Sequence, residues 1–135
     1  MIVDTGPLVA AANDQDPDGD ACRKLLRDAE GVLVVPALVV AEAGYLIERE
    51  LGPHAEAAFI RSLASPRFRV EAPTPADLTR SAELVERYAD LPLGVTDASV
   101  VALAERLGQS DVATLDRRHF TVVRPRHLEA FHLQP

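Results

Sequence analysis

A chain of 135 residues, 47% hydrophobic and 26% charged, has the size and composition of one domain with its own hydrophobic core, not of a fibre or a disordered segment. Its net charge of −7 argues against a general nucleic-acid coat protein, because phosphate backbones reward positive surfaces. A single cysteine, Cys22, allows no internal disulfide and fits a reducing compartment.

The opening Met1-Ile2-Val3-Asp4 has no basic leader, and the apolar stretch Val32 to Ala41 is broken by Pro36 and too short to span a bilayer. The expectation is a cytoplasmic protein without a membrane anchor. Met1–Asp4 reads as a short buried strand, Thr5-Gly6-Pro7 as a turn and Leu8–Ala12 as a helix. Asn13–Asp20 is a polar loop. Asp20–Glu30 reads as a helix with Cys22, Leu25, Leu26 and Ala29 on one face, so Cys22 is read as packing; no histidine stands nearby to activate it. After Gly31, Val32–Val35 is a second strand, and Pro36 opens a helix where its missing N–H would lack a partner anyway. That helix runs to Leu51 and closes at Gly52-Pro53, and His54–Ala64 folds back on it as a hairpin. Arg67–Glu71 is a third strand, and Pro75 introduces a helix over Ala76–Ala89. Thr96 reads as the N-cap of a helix over Asp97–Leu107, ended by Gly108. Asp111–Leu115 and Val122–Arg124 are the last expected strands. Strands alternating with helices predict an α/β fold with a central, mostly parallel sheet in a single domain, 1–135.

Three acids interrupt segments that otherwise want burial. Asp4 is the only charge in the first twelve residues, Glu42 the only one between Val32 and Ile47, and Asp97 the only one between Leu91 and Ala104. Asp116 directly follows the strand expected to end at Leu115. Burying an unpaired carboxylate is costly, so each acid needs a partner or a role. In an open parallel sheet, sites form outside the carboxyl ends of the strands, where Asp4, Asp97 and Asp116 can meet and Glu42 can join if its helix leans across. Carboxylates sharing a pocket raise one another's pKa, and a divalent cation resolves the conflict. All-oxygen ligands select Mg²⁺ or Mn²⁺ over zinc, and such a site suits phosphodiester hydrolysis. Each acid also has a plainer reading: Asp4, Asp97 and Asp116 can serve as turn or helix caps, whereas Glu42 in mid-helix has no capping role.

Charge is unevenly spread. Residues 117–135 carry Arg117, Arg118, Arg124 and Arg126 against Glu129, a balance of +3, which leaves −10 on the rest. A polyanion is expected to approach that side, unless these residues form only a solvated basic tail.

Four blocks carry a family resemblance: Ile2-Val3-Asp4-Thr5-Gly6-Pro7-Leu8, Val39-Val40-Ala41-Glu42, Thr96-Asp97-Ala98-Ser99 and Thr114-Leu115-Asp116-Arg117-Arg118-His119-Phe120. In order and spacing they resemble PIN-domain proteins, and the whole chain resembles the VapC toxins of bacterial toxin–antitoxin pairs. The resemblance implies a three-layer α/β/α fold and a Mg²⁺- or Mn²⁺-dependent endoribonuclease that cleaves a structured RNA such as tRNA or ribosomal RNA. It implies catalytic and metal-binding roles for Asp4, Glu42, Asp97 and Asp116, with Thr5 and Thr114 as their hydrogen-bond partners. Arg117, Arg118 and His119 are the RNA-contact candidates. The resemblance further implies a homodimer and a VapB-type antitoxin partner. One departure is Gly94, where many relatives carry another Asp.

Other classes fit less well. A phosphatase of the haloacid dehalogenase type needs a second Asp where this chain has Gly6, and it and a receiver domain need a lysine, of which Lys24 is the only one. A non-catalytic PIN-fold binding module remains the alternative, since one sequence does not separate it from an enzyme.

Overall fold

The computed structural model describes residues 1–135. Its five strands are β1 (Ile2–Val3), β2 (Leu33–Pro36), β3 (Phe68–Glu71), β4 (Asp111–Ala113) and β5 (His132–Gln134). They lie side by side in the order β3-β2-β1-β4-β5, and every pairing is parallel. Parallel strands covered on both faces read as unbroken apolar runs. Leu33-Val34-Val35 and Ile2-Val3 do so, and all five are buried. The helices are α1 (Thr5–Ala12), α2 (Gly19–Asp28), α3 (Ala37–Leu51), α4 (Pro53–Leu63), α5 (Pro75–Arg87), α6 (Val95–Leu107) and α7 (Arg117–Val122). They pack as the pairs α1–α2, α3–α4 and α5–α6 and complete the α/β/α layering.

The strand order decides where a site can form. From β1 the chain steps outward to β2 and β3, then returns to the other side of β1 for β4 and β5. The connections therefore diverge between β1 and β4, and this reversal opens a crevice at the carboxyl edge of the sheet. Local chemistry aims the chain at that edge. Strand β2 passes into α3 with Pro36 as the N-cap. Gly52, at φ 88°, lets α3 reverse into α4, and Pro53 opens the new helix. Helix α5 starts with a capping box in which Thr74 Oγ1 accepts from Asp77 N and the Asp77 carboxylate accepts from Thr74 N. Arg80, almost fully buried on α5, grips Glu105 of α6 through Nε (2.8 Å) and Nη2 (2.9 Å), which fixes α6 against α5.

Several boundaries differ from the sequence reading. Helix α1 begins at Thr5, directly after Asp4, so the expected Thr5-Gly6-Pro7 turn is the first turn of the helix. Pro7 is tolerated there because early helical N–H groups lack partners. Helix α6 is capped by Gly94, not Thr96, and Asp97 thereby falls in its first turn. Strand β4 stops at Ala113. The expected strand Val122–Arg124 does not form. Asp116 accepts a hydrogen bond from His119 N (3.0 Å) and starts α7, which absorbs Thr121 and Val122, with Val123 as its buried C-cap. A side-chain cap here outweighs the β preference of the branched residues. The fifth strand is instead His132–Gln134, too short to show alternation. Cys22 is fully buried, and burial pushes its thiol pKa up, as suits a packing residue. No helix is long and apolar enough to cross a membrane.

Phe120 ties α7 into the core: it is 1% exposed and meets Phe131 edge-on at a centroid distance of 6.3 Å. Phe120→Ala is expected to lower the unfolding free energy by about 3–5 kcal/mol in a urea titration; a loss under about 1 kcal/mol would show that α7 packs loosely.

Candidate active site

At the reversal point lies a cleft of about 610 Å³, in which Leu115 is the one hydrophobic lining residue. Asp4, Glu42, Asp97 and Asp116 all face it, with Arg117 and Arg118 on its rim. Each acid arrives on a different element. Asp4 is the N-cap of α1, Glu42 lies within α3, Asp97 stands in the first turn of α6, and Asp116 caps α7.

Asp4 is 4% exposed. A capping Asp normally spends its carboxylate on its own helix, but this one makes no such cap bond. Its Oδ2 instead accepts from Thr114 Oγ1 at 2.7 Å, across the gap from β1 to the end of β4. Thr114 Oγ1 also accepts from Asp116 N at 2.9 Å, so one hydroxyl sets two of the four acids. Glu42 is exposed at the mouth, and Thr5 Oγ1 donates to its Oε2 at 2.6 Å. The residues expected to support the acids, Thr5 and Thr114, thus both hydrogen-bond to them.

The protein itself relieves the charge in the cleft only in part. Burial pushes the Asp4 carboxyl up to about 6, reinforced by the charges of Asp97 and Glu42 and opposed by hydrogen bonds from Thr114 and the Thr5 backbone. Burial also raises Asp97, with Asp116 and Glu42 adding to the effect, while His119 and the Gly94 backbone N–H lower it. Gly94 needs no side chain for this contact. A Cβ there would meet nothing within 4 Å, and its φ of −79° suits any residue, so sterics do not account for the departure from an acid at that position.

His119 was expected to contact RNA, but its ring turns inward. Its Nδ1 lies 3.0 Å from Asp97 Oδ2 and 2.7 Å from Asp116 Oδ2, and its Nε2 lies 3.1 Å from the Leu91 carbonyl oxygen. Asp97, Asp116 and His119 offer ligand atoms all within 4.8 Å of one another, close enough to share a cation. The four C-terminal arginines divide. Arg117 and Arg118 border the cleft, with Arg117 also donating to the Pro135 carbonyl oxygen. Arg126 is held by Glu83 at 2.7 Å, and Arg124 by the Thr121 carbonyl at 2.9 Å. Only the first pair is placed to meet a ligand in the cleft. The sequence reading did not single out Leu91, whose part is played by a backbone carbonyl, nor Gly6 as a contact. A Cβ on Gly6 would come within 3.1 Å of Leu115, so the two acid-bearing turns touch here.

This sheet order, with acids converging at its reversal point, defines a class, and the family comparison agrees with it: residues 1–124 match the PIN domain, and the chain belongs to the PIN-domain family. Among individual proteins, it is 37% identical over 125 residues to Ribonuclease VapC26 of Mycobacterium tuberculosis, a match covering 93% of each chain. Its fold also superposes on the crystal structure of Mycobacterium tuberculosis VapC20, described as a Sarcin-Ricin loop cleaving toxin. That match has a TM-score of 0.78 and 22% identity and covers 82% of this chain and 85% of that one.

The raised pKa of Asp4 has a measurable consequence. Between its unfolded value of 3.8 and about 6, the folded protein holds the extra proton, so stability without divalent ions falls as pH rises through that window. Asp4→Asn removes this contribution and is expected to stabilise the metal-free protein at pH 7 by up to about 3 kcal/mol relative to wild type. Urea titrations of both proteins in EDTA from pH 4 to 7 check it. A wild-type-to-variant difference that stays flat across the range refutes the shift.

Proposed function

We propose that this protein is an endoribonuclease that depends on Mg²⁺ or Mn²⁺ and acts as the toxin of a toxin–antitoxin pair. One observation carries the reading. Four carboxylates converge in an open cleft with the exposed arginines Arg117 and Arg118 on its rim. The donor set fits a hard divalent cation, because oxygen ligands dominate and the Asp4 carboxylate is destabilised chiefly by burial and further by the charges of Asp97 and Glu42. Such a cation, when bound, supplies the Lewis acidity that in-line hydrolysis of a phosphodiester requires.

The residues divide the remaining work. Asp4 and Asp97 are the inner ligands, held by Thr114 and by the first turn of α6. Glu42 and Asp116 complete the acidic ring and orient what enters it. Arg117 and Arg118 bind phosphates flanking the scissile bond. Residues 1–116 carry a net charge of −10, which favours a substrate docked in one orientation along this rim over loose degradation of any RNA. The name of the VapC26 relative, a ribonuclease, supports RNA as the substrate, and a structured RNA, tRNA or ribosomal RNA, is the proposed target.

A VapB-type antitoxin and a second copy of the chain are the proposed partners. An apolar groove of about 400 Å³ between α1, α2 and α4, lined by Leu8, Leu26, Ala55 and Phe59, supports an apolar partner segment. A cytoplasmic site of action accords with the RNA substrate.

Incubating the purified protein with total bacterial RNA tests the reading. Discrete fragments are expected with Mn²⁺ or Mg²⁺, and none with EDTA or with Asp4→Asn. RNA left intact in every lane, or cut equally by Asp4→Asn, overturns it. Independently of activity, Mn²⁺ is expected to raise the melting temperature of the wild type and to do little for Asp97→Asn. Equal shifts in the two would place the ion elsewhere.

A further inference from the structure

His119 stands where a ligand-binding imidazole would stand. Its Nε2 faces the Leu91 carbonyl oxygen at 3.1 Å, a contact made only by an N–H, so this nitrogen carries the proton in the neutral ring. Nδ1 then presents its lone pair. That lone pair is sealed from solvent, lies 3.0 and 2.7 Å from oxygens of Asp97 and Asp116, and has no hydrogen-bond partner. Neither oxygen lies where a ring N–H at this nitrogen can donate a hydrogen bond. A divalent cation seated among the two carboxylate oxygens and this nitrogen, whose ligand atoms all lie within 4.8 Å of one another, would satisfy all three at once. Anchoring the far ring nitrogen on a backbone carbonyl is the arrangement that fixes tautomer and orientation in metal-ligating histidines.

We propose that His119 is a direct metal ligand, its Nδ1 joining the carboxylates of Asp97 and Asp116 in a mixed nitrogen–oxygen position that takes Mn²⁺ in preference to Mg²⁺. This rests on the divalent-ion reading above and sharpens it. Imidazole suits borderline transition ions, whereas Mg²⁺ prefers carboxylate and water oxygen. Asp97 belongs both to this position and to the group formed with Asp4 and Glu42 in the same cleft, so it is the acid through which the two communicate. His119 comes from α7, whose start is set by Asp116 itself, and so helix and ligand pair are placed by one residue.

Pulsed electron paramagnetic resonance of the Mn²⁺-loaded protein reads the bond directly, without RNA. Wild type is expected to show coupling between Mn²⁺ and a nitrogen nucleus, and His119→Gln to lose it. The Gln amide can still donate to the Leu91 carbonyl. Calorimetry is expected to show Mn²⁺ binding weakened about ten- to a hundredfold in His119→Gln, with Mg²⁺ binding little changed. His119→Asn, which offers an oxygen near the Nδ1 position, serves if the Gln variant does not fold; it too is expected to lose the coupling. Mn²⁺ binding that depends on Asp97 without nitrogen coupling, or coupling that survives at His119→Gln, overturns the ligand assignment and leaves the carboxylate site intact. Failure of wild type to bind Mn²⁺ at all removes both this inference and the metal reading beneath it.

Discussion

The structure depends on one hydrogen bond, from Thr114 Oγ1 to the buried Asp4 carboxylate. It joins the carboxyl ends of the neighbouring parallel strands β1 and β4, where the sheet's connections part company and the crevice opens. A carboxylate at this depth is costly without compensation, and the threonine hydroxyl supplies part of it. The same oxygen accepts from Asp116 N, and Asp116 in turn caps α7 and places His119. A chain of local bonds thus runs from the first strand to a histidine 115 positions later in sequence without leaving the cleft.

This arrangement separates the fold's two obligations. The core is satisfied by apolar strands and by helices fastened to one another far from the cleft, as Arg80 and Glu105 fasten α5 to α6. The cleft can then carry net negative charge that the rest of the structure neither needs nor neutralises. Part of the global stability, in the metal-free state, is given up to keep Asp4 and Asp97 poised. Under the proposed function, a bound divalent cation would return it.

Much of this was legible before any coordinates. The α/β alternation, the parallel sheet and the convergence of Asp4, Glu42, Asp97 and Asp116 follow from unbroken apolar runs and from acids placed where burial was expected. The errors fall where helices start. Asp116, which accepts from His119 N, turned an expected strand into α7, and Gly94 rather than Thr96 is the cap of α6. His119 was grouped with Arg117 and Arg118 as an RNA contact because all three follow directly on Asp116; its inward turn accompanies the α7 helix that Asp116 caps. Leu91 acts through a carbonyl, which leaves no trace in residue identity.

Gly6 gives the cleft a mechanical stop. With only a hydrogen in place of a side chain, the opening turn of α1 rests directly against Leu115, on the link that carries Asp116. The spacing of the two walls is therefore limited from below by this van der Waals contact, while the Thr114–Asp4 hydrogen bond holds them together from above. A methyl group at position 6 is a wedge of a few tenths of an ångström, and a bulkier group a larger one. The aperture of the site can in this way be widened stepwise while every ligand, charge and hydrogen-bonding group lining it stays in the sequence.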